Sequence, residues 1–461
     1  MVDSSDNDTD IALDESESKF QHIIDIPKKH KDLCIYRVPS NLRQLNPKAY
    51  TPQLVSIGPF HHRKPEFIAM EKQKERYYSE FQKRIKSDRP FGKFKDYIGE
   101  EDIQKCYADK IILRNNKFDK MIEFDAVFIM EFFLRLKDQH KEKDHYKDDY
   151  VLSNPWLKEG ICLDLILLEN QLPIHVLNEL YTFLDEEERE YCTFLDLACK
   201  CGFFQPPNIE TMVCKCFPSA KEYPEQENRC QHKPTNDAKH LLDLLRCFYI
   251  PIDLTPNSLE DSNYHISYNA TKLRDSGISF KAVQGRYLLD IKFKNHCCLF
   301  WLFSFLTCFK SAKIAKACLE LPKLIIDDGT ECKFRNLIAL EQCHHPGYLY
   351  ICNYVSLIDG LIETKEDVDF LLGKKVIVNY LGGNRAVAKL VNSLCRELTI
   401  DSRCYEEKIK ELNAHYDSCC NLTMMTLRSV YLKDLWRISS TIVGLAVLAF
   451  TFVNFFRATL K

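Results

Sequence analysis

Apolar residues recur at helical spacing along much of this chain. One clear repeat falls near its start, and charged residues occupy the positions between its members. The apolar members are Phe67, Met70, Tyr77, Phe81 and Ile85. This spacing predicts an amphipathic helix with one buried face. Two further stretches, 124–136 and 163–181, are apolar nearly all round and predict helices buried in a core. The pattern therefore predicts a mainly α-helical fold.

Polar residues interrupt both buried stretches. Asp125 and Glu131 in the first are expected to be partnered carboxylates rather than a catalytic pair, because unpaired buried charges are costly. In the second, the cluster Glu169–Gln171 lies just before Pro173, which removes a backbone donor and interrupts the helix. Buried polar side chains need partners, so we expect this cluster to bind freed main-chain groups. A role in recognition is the alternative.

A short alternating pattern predicts β-structure later in the chain. Residues 278–282 and 289–293 alternate apolar with polar side chains, and Gln284-Gly285 between them suits a tight turn. This arrangement predicts an antiparallel hairpin. Residues 324–326 are a candidate third strand. We therefore expect one large, mainly helical globular region with a small antiparallel β-element.

The last apolar stretch, Ile438 to Phe456, has nineteen residues and no charge. A helix of that length spans roughly 28 Å, about one hydrocarbon thickness. Basic residues precede it, and only five residues follow it. We therefore predict a C-terminal transmembrane helix over 437–457, a lipid bilayer as its partner, and a single-pass membrane protein whose N-terminal bulk is cytosolic. A buried C-terminal helix is the alternative, and the kind of membrane, plasma membrane or endomembrane, stays open.

Differences in amino-acid composition separate the chain into further segments. Residues 1–30 open with an acidic polar stretch and are predicted to be disordered, without a signal peptide. Residues 31–436 form the predicted globular region, with a proline-rich candidate linker at 205–237 and a short tail at 458–461. An apolar and then basic stretch at 297–317 interrupts the β-region. It is either an interfacial or core-docked helix or translated intron, and we favour the second interpretation.

Composition also narrows the class of protein. The chain has 461 residues, of which 45% are hydrophobic, and a net charge of -3. This content supplies a core, and the charge gives no electrostatic case for nucleic acid as a partner. The 21 cysteines are an odd number in a long chain, so we expect reduced, buried thiols. The glycosylation sequons at Asn269 and Asn421 would matter only on a lumenal side.

Zinc binding is a weaker hypothesis for some of these cysteines. Pairs spaced C-x-C match the usual C-x2-C arrangement poorly. The candidate ligands are Cys199, Cys201, Cys214, Cys216, Cys230 and His232. We predict no metal and no other cofactor.

The chain contains no sequence motif for phosphate binding, serine or zinc hydrolysis, or dinucleotide binding. The residues that most resemble a functional site are the pair His61-His62, beside Gly58-Pro59. Adjacent histidines point in different directions, so we expect one ring to bind main chain around the turn. The alternative is an enzyme with an unrecognised site, which a deep pocket joining two separate segments would favour. Its residues would be His61, His62, Glu169, Asn170 and Gln171.

Several longer motifs follow one another along the chain. They are IYRVP at 35–39, AYTP at 49–52, VSIGPFHH at 55–62, MEKQKERY at 70–77, NPWL at 154–157, LLENQLP at 167–173, HLLDLLR at 240–246, LLDIKF at 288–293 and FRNLIALEQC at 334–343. In order and spacing they resemble the plant family known as "domain of unknown function 247", or UPF0481 proteins, from about residue 31 to the end. One departure is Arg63, where the family usually has glycine.

The resemblance implies a land-plant source. It also implies that some grass members act as pollen-side self-incompatibility determinants, and it carries over no catalytic residue. We therefore expect a membrane-tethered, non-catalytic interaction or recognition protein with an unknown protein partner, rather than an enzyme.

Overall fold

A computed structural model describes most of the chain, in two compact units. The described residues are 31–85, 91–111, 113, 115–141, 149–189, 191–201, 203, 237–251, 254, 265–283, 287–294, 317–401, 404–418 and 435–459. Unit 1 comprises those within Met1–Arg43, Tyr50–Phe203 and Asp237–Asp243, and unit 2 those within Gln44–Ala49, Phe204–Asn236 and Leu244–Lys461. Several sequence predictions fall outside the described residues: the disordered start, most of the linker 205–237, nearly all of 297–317, and Asn421.

Unit 1 is helical. Its helices are α2 (Ile68–Phe81), α3 (Gly92–Glu100), α4 (Asn115–Lys141), α5 (Pro155–Asp164), α6 (Ile174–Tyr181) and α7 (Phe194–Lys200), with 3-10 turns at Pro65–Phe67, Gln82–Arg84 and Ile103–Cys106. Three elements have residues in both units: helix α1 (Ser40–Leu45), helix α8 (Leu241–Tyr249) and the 3-10 turn Pro47–Tyr50.

The core of unit 1 forms around α4, which packs against α2, α3, α6 and α7. Phe128 stacks on Tyr77 of α2 with ring centroids 5.4 Å apart, and Phe133 meets Phe194 of α7 edge-on at 5.2 Å. Burying such side chains contributes roughly 1.5–3 kcal/mol each. The predicted all-round burial of 124–136 is thus confirmed in its central part.

The predicted restart of a helix at Pro173 is confirmed, but the helix predicted before the proline is wrong for residues 165–173. Helix α5 ends at Asp164, and α6 begins at Ile174, directly after the proline. Between them the chain turns without forming a regular element. The residues 165–173 are therefore free to present side chains and main-chain groups in several directions.

Unit 2 combines helices with short strands. The helices are α9 (Ala270–Asp275), α10 (Thr330–His344), α11 (Tyr350–Leu361), α12 (Lys365–Gly373), α13 (Asn384–Leu394), α14 (Glu406–Asp417) and α15 (Leu435–Thr459). The strands are β1 (Ser279–Val283), β2 (Lys292–Lys294), β3 (Cys318–Pro322), β4 (Leu324–Ile326) and β5 (Ile377–Asn379).

The predicted antiparallel hairpin is wrong in its pairing. Strand β3 lies between β1 and β2, parallel to β1 and antiparallel to β2. Leu319 of β3 is opposite both Phe280 and Phe293, so the apolar row runs across three strands. Alternation reveals a strand but does not identify its neighbour. The predicted strand at 324–326 is observed as β4, but it pairs in parallel with β5 in a separate sheet.

The predicted membrane span must also be corrected. Residues Ile438 to Phe456 do lie in one helix, α15. Yet within the described part of the chain, no helix combines the length and the apolarity needed to cross a bilayer. The transmembrane helix over 437–457 and the single-pass membrane localisation are therefore not supported. The prediction rested on the length of the apolar stretch and on its lack of charge.

A buried aspartate ties two helix starts together in unit 2. Asp367 Oδ1 accepts a hydrogen bond from Thr271 N in α9 at 3.0 Å, and Oδ2 accepts one from Thr364 N at 3.0 Å. Asn269 caps α9 through Lys272 N and donates to Glu363 at 2.9 Å. The sequon asparagine is thus engaged in the fold.

We expect Asp367→Ala to lower the free energy of unfolding by about 2–3 kcal/mol, because it removes the buried acceptor that main-chain donors at two helix starts share. Urea unfolding of the full chain measures the change. Glu366→Ala, an exposed acid in the same helical turn, is the matched control and should change stability by less than about 0.5 kcal/mol. Equal effects of the two substitutions would contradict this role of Asp367.

Candidate functional site

Residues 53–58 in unit 1 form neither a helix nor a strand. Buried side chains from elsewhere in the unit bind their main-chain groups instead. We call these side chains the polar clamp; they are Lys74, Asp125, Asp164 and Asn170. Because buried main-chain groups need partners, the clamp replaces the hydrogen bonds that a neighbouring strand would supply.

Asp164, the last residue of α5, holds the start of this segment. Its Oδ1 accepts from Gln53 N at 2.9 Å, and its Oδ2 accepts from Leu54 N at 2.7 Å and Val55 N at 2.9 Å. Burial raises the pKa of Asp164 to about 6, although the three N–H donors act in the opposite direction. The carboxylate is therefore ionised at neutral pH and serves as an acceptor.

Asn170 holds the middle of the segment with both ends of its amide. Its Oδ1 accepts from Ile57 N at 2.7 Å, and its Nδ2 donates to Val55 O at 3.0 Å and Asp164 O at 2.9 Å. The side chain is fully buried. An amide satisfied in this way has one orientation, which fixes the register of Val55 and Ile57.

Lys74 and Asp125 hold the end of the segment. Lys74 Nζ donates to Ser56 O and to Asp125 Oδ1, both at 2.6 Å, while Asp125 Oδ2 accepts from Gly58 N at 2.8 Å. Burial raises the pKa of Asp125 to about 6 against the influence of Lys74. For Lys74, burial favours the neutral amine, but Asp125 and Glu71 outweigh it and raise the pKa. At neutral pH both partners are charged.

The segment ends at Gly58, where only glycine fits well. Its φ of +70° lies in the left-handed region. A Cβ atom there would lie 2.9 Å from Gln171 O and 3.2 Å from the Tyr107 hydroxyl oxygen. Tyr107 itself donates to Gln171 O at 3.1 Å. The close approach of these three residues therefore depends on the missing side chain.

The structure brings two of the predicted site residues into contact. His61 Nε2 lies 3.0 Å from Glu169 Oε2, and His61 Nδ1 lies 2.9 Å from Lys64 Nζ. An ammonium group only donates, so Nδ1 accepts and the Nε2 proton points at the carboxylate. His61 thus has both ring nitrogens engaged. His62 beside it is half-buried, and burial lowers its pKa.

Glu169 connects His61 to IYRVP at residues 35–39, which we call the N-terminal motif. Its Oε1 accepts from Val38 N at 2.8 Å and contacts an Arg43 nitrogen at 2.5 Å. Burial by itself would raise the pKa of Glu169. Hydrogen bonds from His61 and Val38 N, with the Arg43 charge, outweigh burial and hold the pKa below its usual value. Glu169 is therefore an ionised acceptor and a poor proton donor.

Gln171, the last residue of the cluster Glu169–Gln171, binds main-chain groups other than those bound by Glu169 and Asn170. Its Nε2 donates to Leu165 O and Leu167 O, each at 2.8 Å, and its Oε1 accepts from Leu242 N at 3.2 Å. The expectation that Glu169, Asn170 and Gln171 bind main-chain groups is confirmed. Whether any of them has a further function stays a prediction.

Sequence reasoning missed two members of the clamp, Lys74 and Asp164. Lys74 is one of the charged residues that stand between the apolar members of the helical repeat. It nevertheless lies four residues after Met70 and three before Tyr77, on the apolar stripe, and that spacing was an available signal. Asp164 stands alone in an apolar run, and no local pattern reveals what it binds. Asp125 is a partnered carboxylate, as expected.

The described residues hold no group of three or more histidine, cysteine, aspartate or glutamate side chains that could bind a metal ion. Of the zinc candidates, Cys199 and Cys201 are buried in unit 1. The other four lie outside the described part of the chain.

Arg63, next to the histidine pair, occupies a backbone position that favours glycine. Its φ is +62°, again in the left-handed region. For a residue with a Cβ this conformation costs on the order of 1 kcal/mol. The departure from the glycine usual in the resembling family therefore leaves local strain in this turn.

We expect Gly58→Ala to destabilise the protein by roughly 2–4 kcal/mol, because the new methyl group meets Gln171 O in a strained conformation. Gly99→Ala is the matched control. Gly99 lies in α3 with open space around its Cα, so the same substitution should stabilise by about 0.5–1 kcal/mol. Urea unfolding compares the two. Substitutions that shift stability in the same direction would argue against the close approach at Gly58.

We expect Glu169→Gln to reduce stability by about 2 kcal/mol at pH 7, because a buried ion pair loses its negative charge and one of two acceptor oxygens. A depressed folded pKa contributes stability above the unfolded value of about 4.3, which is lost as pH falls through the folded value. The difference between variant and parent should therefore shrink below about pH 4. Urea unfolding at pH 7 and pH 3.5 measures it, with the exposed Glu75→Gln as control. A difference independent of pH would exclude this charge effect.

Comparison with known proteins places the chain in a family. A family described as "Plant protein of unknown function", DUF247, matches residues 35–450. The UPF0481 protein At3g47200 of Arabidopsis thaliana is 26% identical over 91% of this chain and 85% of its own length. The putative UPF0481 protein At3g02645 of the same plant is 23% identical over 92% and 90%. No solved structure matches. The chain thus belongs to the DUF247 family of plant proteins of unknown function.

Proposed function

We propose that this protein is a non-catalytic interaction protein that recognises another protein. One observation carries the proposal: apart from half-buried His62, the polar side chains of the candidate site are buried and engaged by the protein's own main-chain and side-chain groups. A general acid or base must come within hydrogen-bond reach of its substrate. Side chains whose acceptors and donors are already engaged, as in Asn170 and His61, act in folding rather than in chemistry.

The surface of unit 1 supplies a candidate for contact with a partner. Tyr150 and Trp156 are each 62% exposed, and they flank the start of α5. Asp149 anchors this stretch, because its Oδ1 accepts from Val151 N at 2.9 Å and Leu152 N at 2.8 Å. Exposed aromatic side chains held on a rigid support are typical of binding hot spots in protein interfaces.

A second candidate function, an enzyme with a site at His61, His62 and Glu169–Gln171, is favoured by one contact. The His61 Nε2–Glu169 Oε2 distance of 3.0 Å is that of a base and the carboxylate that orients it. However, Lys64 faces the other ring nitrogen, where such a base would take its proton. The geometry therefore favours the interaction protein.

The proposal is tested by placing a photo-crosslinking amino acid at Trp156 in the full chain and irradiating plant cells that express it. We expect one discrete adduct with a second protein, because an interface buries its central aromatic residues. Trp156→Ala should then reduce co-purification of the identified protein by at least about tenfold. The same probe at Tyr380, an exposed tyrosine of unit 2, is the control. Absence of an adduct at Trp156, or the same adducts at both positions, would contradict the proposal.

A further inference from the structure

Two cysteines of unit 1 lie against each other where the N-terminal motif meets the 3-10 turn Ile103–Cys106. Cys34 N donates to Cys106 O at 3.0 Å, and Ile35 N donates to the same oxygen at 2.9 Å. Ala108 N donates back to Ile35 O at 2.9 Å, which completes a parallel bridge between Ile35 and Tyr107. Both cysteines are 3% exposed.

The main-chain contact sets the separation of the two residues. When an N–H of one residue binds the carbonyl of another, their Cα atoms lie roughly 5–6 Å apart, within the range that a disulfide spans. The side chains also face each other. A hydrogen bond with the Cys106 thiol, with burial, raises the pKa of Cys34 far above its usual value. The Cys34 sulfur is therefore held as a neutral thiol in the folded protein.

We propose that Cys34 and Cys106 are the two halves of a disulfide that fastens the N-terminal motif to the body of unit 1 when the protein meets an oxidising thiol buffer. The oxidant is a small-molecule disulfide such as oxidised glutathione. One cysteine thiolate attacks it, forms a mixed disulfide and releases one glutathione. The thiolate of the second cysteine then attacks the sulfur of the first cysteine in the mixed disulfide and releases the second glutathione. The two thiol protons end on the two glutathiones, which carry away the two electrons.

Burial determines when this bond can form. A thiolate is the reacting species, and buried neutral thiols are inert. Oxidation therefore requires the segment around Cys34 to be displaced, as it is during folding. Once formed, the bond closes the loop from Cys34 to Cys106, which includes residues 53–58. Closing a loop of this length restricts the unfolded chain and stabilises the folded one.

Peptide mapping tests the proposal on the unsubstituted full chain, refolded in a glutathione redox buffer and alkylated. Trypsin cleaves after Lys31, Arg37, Lys105 and Lys110, so each cysteine falls in a short peptide with no other cysteine, DLCIYR or CYADK. We expect the two peptides to be joined as the main product of both. Exposed Cys192 is the internal control, because its reaction with glutathione shows that the buffer oxidises. Cys34 and Cys106 both alkylated, or joined to other cysteines, while Cys192 is oxidised, would overturn the proposal.

Urea unfolding provides a second measurement that does not depend on the digest. The oxidised chain should unfold at a midpoint about 1 M higher than the reduced chain. Cys34→Ser and Cys106→Ser should each abolish this difference, and Cys192→Ser should retain it. A difference that persists in both single variants would overturn the assignment to this pair. If a serine variant fails to fold, the peptide map of the unsubstituted chain decides.

Discussion

The structure of unit 1 depends on how the main chain of residues 53–58 is satisfied. Residues 55–58 of this segment are buried without a strand partner in the described part of the chain, and each unbound main-chain group there would cost about 1–3 kcal/mol. Lys74, Asp125, Asp164 and Asn170 supply the missing hydrogen bonds from three separate parts of the chain. Polar residues inside otherwise apolar helices are thus a requirement of the fold.

The same constraint accounts for residues in three of this chain's motifs. VSIGPFHH provides the bound segment, MEKQKERY provides Lys74, and LLENQLP provides Asn170 together with Glu169 and Gln171. Glu169, Asn170 and Gln171, which look like part of a catalytic set in the sequence, bind three different main-chain groups in the structure. Glu169 holds Val38, and Gln171 holds Leu242. These contacts support our proposal that the buried polar side chains serve the fold and that the surface serves recognition.

The N-terminal motif is secured from two sides. Glu169 binds Val38 N, and Cys106 O binds the amides of Cys34 and Ile35. These contacts join residues that are far apart in sequence, so the motif can leave the body of unit 1 only if all of them break. A disulfide between Cys34 and Cys106 would add a covalent link to these reversible hydrogen bonds.

The sequence by itself determined the local features. Periodicity identified the helix containing Met70 and Tyr77 and the buried helix around Phe128, Pro173 identified an interruption, and the polar cluster before it indicated buried hydrogen bonds. These features depend on neighbouring residues and on burial, which local patterns record. Only the tertiary structure decided that β3 separates β1 from β2, that Lys74 and Asp164 hold residues 53–58, and that His61 meets Glu169. Those are choices of partner between distant positions, and a local pattern shows that a group needs a partner without showing which partner it has.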